Sequence, residues 1–180
     1  MLNTILGSLS SGVAASTSSY ESIASATSSA ASTISFTSIG STYKSLQIRS
    51  AVVQSSGNPL RIRINSDTGN NYSYHYLNGA GGSGVGAGGA ATTSGIQIQS
   101  VYGGSSTYAT VLIIDLIDYE STSKYKTIRI FDGWNANGSG VVELTSGLWQ
   151  STSAITSITI DAVGAGTFTG TTALYGIKGA

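Results

Sequence analysis

From Tyr43 to the C-terminus, apolar and polar residues alternate in short runs separated by Gly, Ser, Asn and Thr. In Leu46-Gln47-Ile48-Arg49 and Leu60-Arg61-Ile62-Arg63-Ile64 the aliphatic side chains share one side and the arginines the other, and Ile128-Arg129-Ile130 repeats the device. Successive side chains of a strand point to opposite faces, so each run offers one face to a core and one to water or a polar partner. The pattern predicts about ten strands in this region and no amphipathic helix.

Tyr72 to Leu77 reads as a strand with its three tyrosines on one side, after a turn at Asn65-Ser66-Asp67-Thr68-Gly69-Asn70-Asn71. Tyr108 to Leu116 is almost continuously apolar, which predicts a central strand covered on both faces. Lys124–Phe131, Val141–Leu144, Ala154–Ile160 and Thr167–Ile177 complete the set, and Pro59, the single proline, sits where a turn meets a strand. Asn78 to Gly95 breaks the alternation. Its glycines make ordering costly in backbone entropy, which predicts a mobile loop at one end of the fold.

The first forty residues differ in kind, being dominated by Ser, Ala and Thr. Met1 to Ser19 is low in complexity and is expected to order only against a partner. Tyr20–Ala24 and Ser32–Thr37 alternate, with Ile34 and Phe36 on one face, and read as strands. The organisation is therefore an all-β chain: an N-terminal arm over 1–40 carrying one or two edge strands, and an antiparallel β-sandwich domain over 41–180.

Charge narrows the function. Only 9% of residues are charged, eight acidic against eight basic, so no basic footprint for nucleic acid or an anionic membrane exists. So uncharged a surface protects poorly against self-association, which points to partners covering it. One histidine and no cysteine leave no zinc site or disulfide. The N-terminal apolar run is too short and lacks the positive start of a secretory signal, and no stretch approaches the length of a membrane span.

Tyr20-Glu21-Ser22-Ile23-Ala24, Thr42-Tyr43-Lys44-Ser45-Leu46-Gln47-Ile48-Arg49, Asp67-Thr68-Gly69-Asn70-Asn71-Tyr72 with His75-Tyr76-Leu77, and Leu174-Tyr175-Gly176-Ile177-Lys178-Gly179 occur in this order. Together they resemble a family of small tailed-bacteriophage virion proteins common in aquatic phages, over about residues 20–179. The motifs are strand and turn elements and mark a module, not an activity. The resemblance implies a jelly-roll-like sandwich at the virion surface, either a capsid decoration (cement) protein or a tail or fibre component. Gly79–Gly89 is longer than the family pattern, which affects the shape of one loop.

Expected partners are other virion proteins, the major capsid protein or tail proteins, with the chain itself a homo-oligomer such as a trimer. No cofactor and no catalytic group is expected. The overlapping G-x-G-x-x-G matches within Gly79–Gly89 lack the following helix that a phosphate cradle requires. His75 has no nucleophile or orienting carboxylate at a telling spacing and reads as a surface or subunit-contact residue. Asp115, Asp118, Glu120 and Asp67 offer oxygen ligands but match no calcium loop; Asp115 is expected to pair with an arginine or cap its strand. The candidate contact residues are Arg49, Arg61, Arg63 and Arg129, taken as one arginine face, with Tyr74 and an exposed Trp134 as aromatic anchors. The alternative function is a tail fibre or baseplate part that touches host glycan through the loops Gly79–Gly89 and Trp134–Gly140.

Overall fold

The computed structural model describes residues 18–82, 84–99, 101 and 107–179. Within them the chain forms strands and connections without any helix. In order these are β1 (Tyr20–Ala31), β2 (Thr33–Phe36), β3 (Ser45–Gln54), β4 (Leu60–Ile64), β5 (Tyr72–Ala80) and β6 (Gly84–Thr93). They continue with β7 (Ile96–Ile98), β8 (Thr110–Ile117), β9 (Lys126–Asn135), β10 (Gly140–Trp149), β11 (Ile158–Ala162) and β12 (Phe168–Ile177).

The strands make two antiparallel sheets, an eight-stranded one ordered β1-β12-β3-β8-β9-β10-β5-β6 and a four-stranded one ordered β2-β11-β4-β7. The chain passes repeatedly from one sheet to the other, as an antiparallel β-sandwich requires. Alternation explains the core. Leu46, Ile48, Leu112, Ile114, Leu116, Ile128 and Ile130 of the large sheet meet Ile62, Ile64, Ile96, Ile98 and Ile158 of the small one, all fully or almost fully buried. Each such side chain contributes about 1.5–3 kcal/mol through its removal from water.

Residues 1–17 of the expected arm lie outside the described residues. The remainder of that region is edge structure: β1 borders the large sheet through β12 and β2 borders the small sheet through β11. Register shifts at Ser22/Ala24 and Ser28/Ala31 bend β1 away from a straight edge.

Two expectations are corrected here. The segment Asn78–Gly95 is not a mobile loop but the β5–β6 hairpin, turning at Gly82 (φ 81°) and Gly84 (φ 91°). Glycine recurs along β6 because of close approach to β5: a Cβ at Gly88 would lie 2.6 Å from the Tyr76 hydroxyl, and one at Gly89 2.5 Å from the Tyr74 carbonyl oxygen. Likewise, β8 is not covered on both faces. Thr110, Leu112, Ile114 and Leu116 point inward, whereas Val111, Ile113 and Ile117 stand on the outer face of the large sheet, exposed.

Candidate functional site

The outer face of the large sheet carries an apolar ladder that the core does not use. Cross-strand register aligns Ile113, Phe131, Leu144, Leu77 and Ala87 in one row across β8, β9, β10, β5 and β6. The adjacent row is Val111, Gly133, Val142, Gly79 and Val85. Neither row contains a charged residue. Exposure is 52% at Phe131, 61% at Leu77 and 93% at Val85. Shallow grooves run between these side chains, one bordered by Val111, Ile113, Phe131 and Val142 and another by Leu77, Val85, Val142 and Leu144. A contiguous exposed apolar surface of this kind is characteristic of binding faces.

The same alternation that builds the core creates this face. In β8 the inward positions (Leu112, Ile114, Leu116) and the outward positions (Val111, Ile113, Ile117) are both aliphatic, so burial of one set leaves the other bare, and β9 adds Phe131 to the outer face. No Asp, Glu, Lys or Arg occurs between Asp67 and Asp115, so β5 and β6, which extend the ladder, contain no Asp, Glu, Lys or Arg.

The four arginines do not form one face. Arg49 and Arg129 project from the outer face of the large sheet, but Arg61 and Arg63 belong to β4 of the small sheet on the opposite side of the sandwich. Arg49 continues the first apolar row beyond Ile113, where its guanidinium lies 5.2 Å from the Tyr20 ring centroid and 5.5 Å from that of Tyr175. Arg61 and Arg63 both engage Asp161 of β11, at 2.5 and 3.2 Å, and Arg63 also donates from Nε to the Ser94 carbonyl oxygen at 3.0 Å. Their guanidinium groups are committed within the chain.

Tyr74, expected at a contact, is a core residue at 5% exposure. Its hydroxyl donates to Gln97 Oε1 at 3.1 Å and accepts from Gln99 Nε2 at 3.0 Å. Burial raises its pKa, partly offset by the Gln99 bond. All three tyrosines of β5 share one side, as their spacing predicted, and that side faces inward, in phase with the core. Trp134, expected in an exposed loop, is the penultimate residue of β9 and half-buried, bordering a small cleft with Gly79, Gly81 and Asn135. His75 is exposed on the outer face, across from Ser146 and Gly89.

The acidic candidates are also separated. Asp67 is consumed by its own turn, accepting from the Gly69 backbone N–H, from Asn71 Nδ2 and from Trp149 Nε1. Asp118 pairs with Lys124 at 3.0 Å on the surface. Among the described residues no group of three or more His, Cys, Asp or Glu is placed to hold a metal ion. Asp115 does not pair with an arginine; Gln47 Nε2 donates to its Oδ1 at 2.7 Å.

Sequence reasoning missed Asp161, whose role depends on β11 lying beside β4, and the buried carboxyls of Asp132 and Glu143. Both of the latter sit in phase with inward aliphatics, a signal present in the alternation itself. Comparison of the chain with protein-family models, with curated proteins and with solved structures finds no match.

Proposed function

We propose that this chain is a non-enzymatic structural subunit of a bacteriophage particle, a capsid decoration protein that bridges neighbouring capsid subunits. The observation that carries the reading is the uncharged ladder of Val111, Ile113, Phe131, Val142, Leu144, Leu77 and Val85 on the outer face. Resemblance of the sequence to small tailed-phage virion proteins supplies the particle as the setting.

The physics of such a role is simple. A decoration protein adds buried area at junctions between subunits, and a flat apolar sheet face does so without charges that must be desolvated. The low charge of the chain, poor for a free protein, is then no disadvantage.

The test introduces charge into the ladder. With Phe131→Lys and Leu144→Lys together, the expected result is unchanged folding by circular dichroism, because both side chains are outward, and loss of the protein from purified particles. Normal incorporation of this variant would overturn the reading. Copy number measured on particles separates capsid from tail: a multiple of the capsid lattice is expected, whereas a few copies place the protein in the tail.

A further inference from the structure

We infer that the polar end of the same outer face is a binding site for a neutral saccharide, in a cleft between β8 and β9 beyond the apolar ladder. The cleft has a volume of about 320 Å³ and is lined by Asp115, Ile117, Lys124, Tyr125, Thr127 and Arg129, with Asp118 at its rim. It stands independently of the assembly reading, since none of these residues belongs to the ladder.

Three features point to a sugar. The first is an aromatic platform: Tyr125 is 57% exposed, with Ile117 exposed beside it. A pyranose presents an apolar face of C–H groups that stacks on such a ring, while its hydroxyls turn to polar groups at the edge.

The second is a pair of planar groups left free. Asp115 and Arg129 are directly opposed on β8 and β9, yet no ion pair forms between them. Arg129 makes no hydrogen bond or salt bridge with the described residues, and Asp115 Oδ2 accepts none. A guanidinium fork donates to two adjacent hydroxyls and a carboxylate oxygen accepts from a third, which is the recognition that a vicinal diol needs.

The third is preorganisation. Asp115 Oδ1 is held by Gln47 Nε2 at 2.7 Å, Gln47 Oε1 accepts from Arg49 Nε at 2.7 Å, and Arg49 is sandwiched by Tyr20 and Tyr175. Gln47 is only 8% exposed, so this relay fixes the carboxylate through Oδ1, on the β3 side, and leaves Oδ2 without a partner among the described residues. A group held in place before binding loses less entropy on binding.

Charge selects the class of ligand. Asp115 and Asp118 balance Lys124 and Arg129, and Lys124 is already paired with Asp118. A phosphate or sulfate meets one free cation beside a carboxylate, and a metal ion meets a guanidinium beside its only fixed oxygen. A polyhydroxylated neutral molecule meets complementary donors and acceptors.

The experiment titrates the full-length protein, followed by two-dimensional NMR, with neutral trisaccharides of glucose, mannose, galactose and N-acetylglucosamine and with inorganic phosphate. The expected result is saturable shifts of amides near Tyr125 and Arg129 with at least one sugar and none with phosphate. Tyr125→Ala and Arg129→Ala each weaken that binding by about tenfold or more. The Phe131→Lys/Leu144→Lys variant binds sugar as the native protein does, which keeps this test separate from that of the assembly role. Absence of saturable binding across the panel, phosphate binding in place of sugar, or native affinity in both alanine variants overturns the inference.

Discussion

Asp132 and Glu143 stand directly opposite each other on β9 and β10, and each is only 1% exposed. Glu143 is provided for: it accepts from Asn78 Nδ2 at 3.1 Å and from the Gln99 backbone N–H at 3.2 Å. Neither oxygen of Asp132 has a hydrogen-bond partner among the described residues. Burial first, and then the neighbouring Glu143 charge, push the Asp132 carboxyl up from an ordinary value of 3.8 to about 8.

The stability of the protein therefore depends on Asp132 holding its proton. The folded state binds that proton more tightly than the unfolded state, so the contribution is complete below 3.8 and is lost as pH rises towards 8. Asp132→Asn removes the ionisation. Denaturant midpoints measured from pH 4 to 9 are expected to fall with pH in the native protein and to vary much less in the variant.

Asp161 is the shared acceptor for Arg61 and Arg63 on the far side of the sandwich, with 10% of its side chain exposed against 18% and 21% for the arginines. Its removal leaves two adjacent guanidinium groups without their anion. Asp161→Asn is expected to destabilise by about 2 kcal/mol, read from urea unfolding. A change within a few tenths of a kcal/mol would show that the pair behaves as an ordinary solvent-screened surface contact.

Trp149 ties β10 to the Asp67 turn through a 2.8 Å bond from Nε1 to Asp67 Oδ2. Burial, the largest single influence on Asp67, raises its pKa, but bonds from Trp149, Asn71 and the Gly69 backbone together hold it below 3.8. A lowered carboxylate stabilises the fold above its unfolded value and loses that contribution as pH falls. Trp149→Phe is expected to cost about 1–2 kcal/mol at neutral pH and to raise the Asp67 titration midpoint in carboxyl NMR.

Gly147 lets the small sheet close on the large one. A Cβ there would lie 2.5 Å from Cδ1 and 2.7 Å from both γ carbons of Ile96, which is fully buried. Gly147→Ala is expected to destabilise by about 1–3 kcal/mol through overpacking. Adding Ile96→Ala should recover part of the loss, and a double-mutant cycle on thermal unfolding measures that coupling. Strict additivity would place the strain elsewhere.

Several features of this chain were readable before any tertiary contact was known. Leu46, Ile48, Leu60, Ile62, Ile64, Ile128 and Ile130 declare themselves as one-sided, because period two leaves a strand no other arrangement. The same phase puts Tyr72, Tyr74 and Tyr76 on one side, but only the packing of β5 in the sheet makes that side the core and not a contact face. The glycines of β6 read as a loop by backbone entropy alone, but the close approach of β5 is what makes glycine necessary there.

The arginines show the limit most clearly. Arg49 in Leu46-Gln47-Ile48-Arg49 and Arg61 in Leu60-Arg61-Ile62 are indistinguishable as sequence, yet one faces Tyr20 and Tyr175 and the other Asp161. Alternation specifies which residues share a side of a strand, a local steric matter. It cannot specify the sheet to which the strand belongs, since β3 pairs with β12 and β8 through contacts distant along the chain.

Local order thus wrote the all-strand character, the inward aliphatics and the scarcity of charge into the chain. Long-range pairing distributed the arginines between two opposite surfaces, exposed Val111, Ile113 and Phe131, and drew Asp115 to Gln47 instead of Arg129. The reason is geometric: a strand defines two sides on its own, but only its neighbours establish which side is covered and what stands across from each residue.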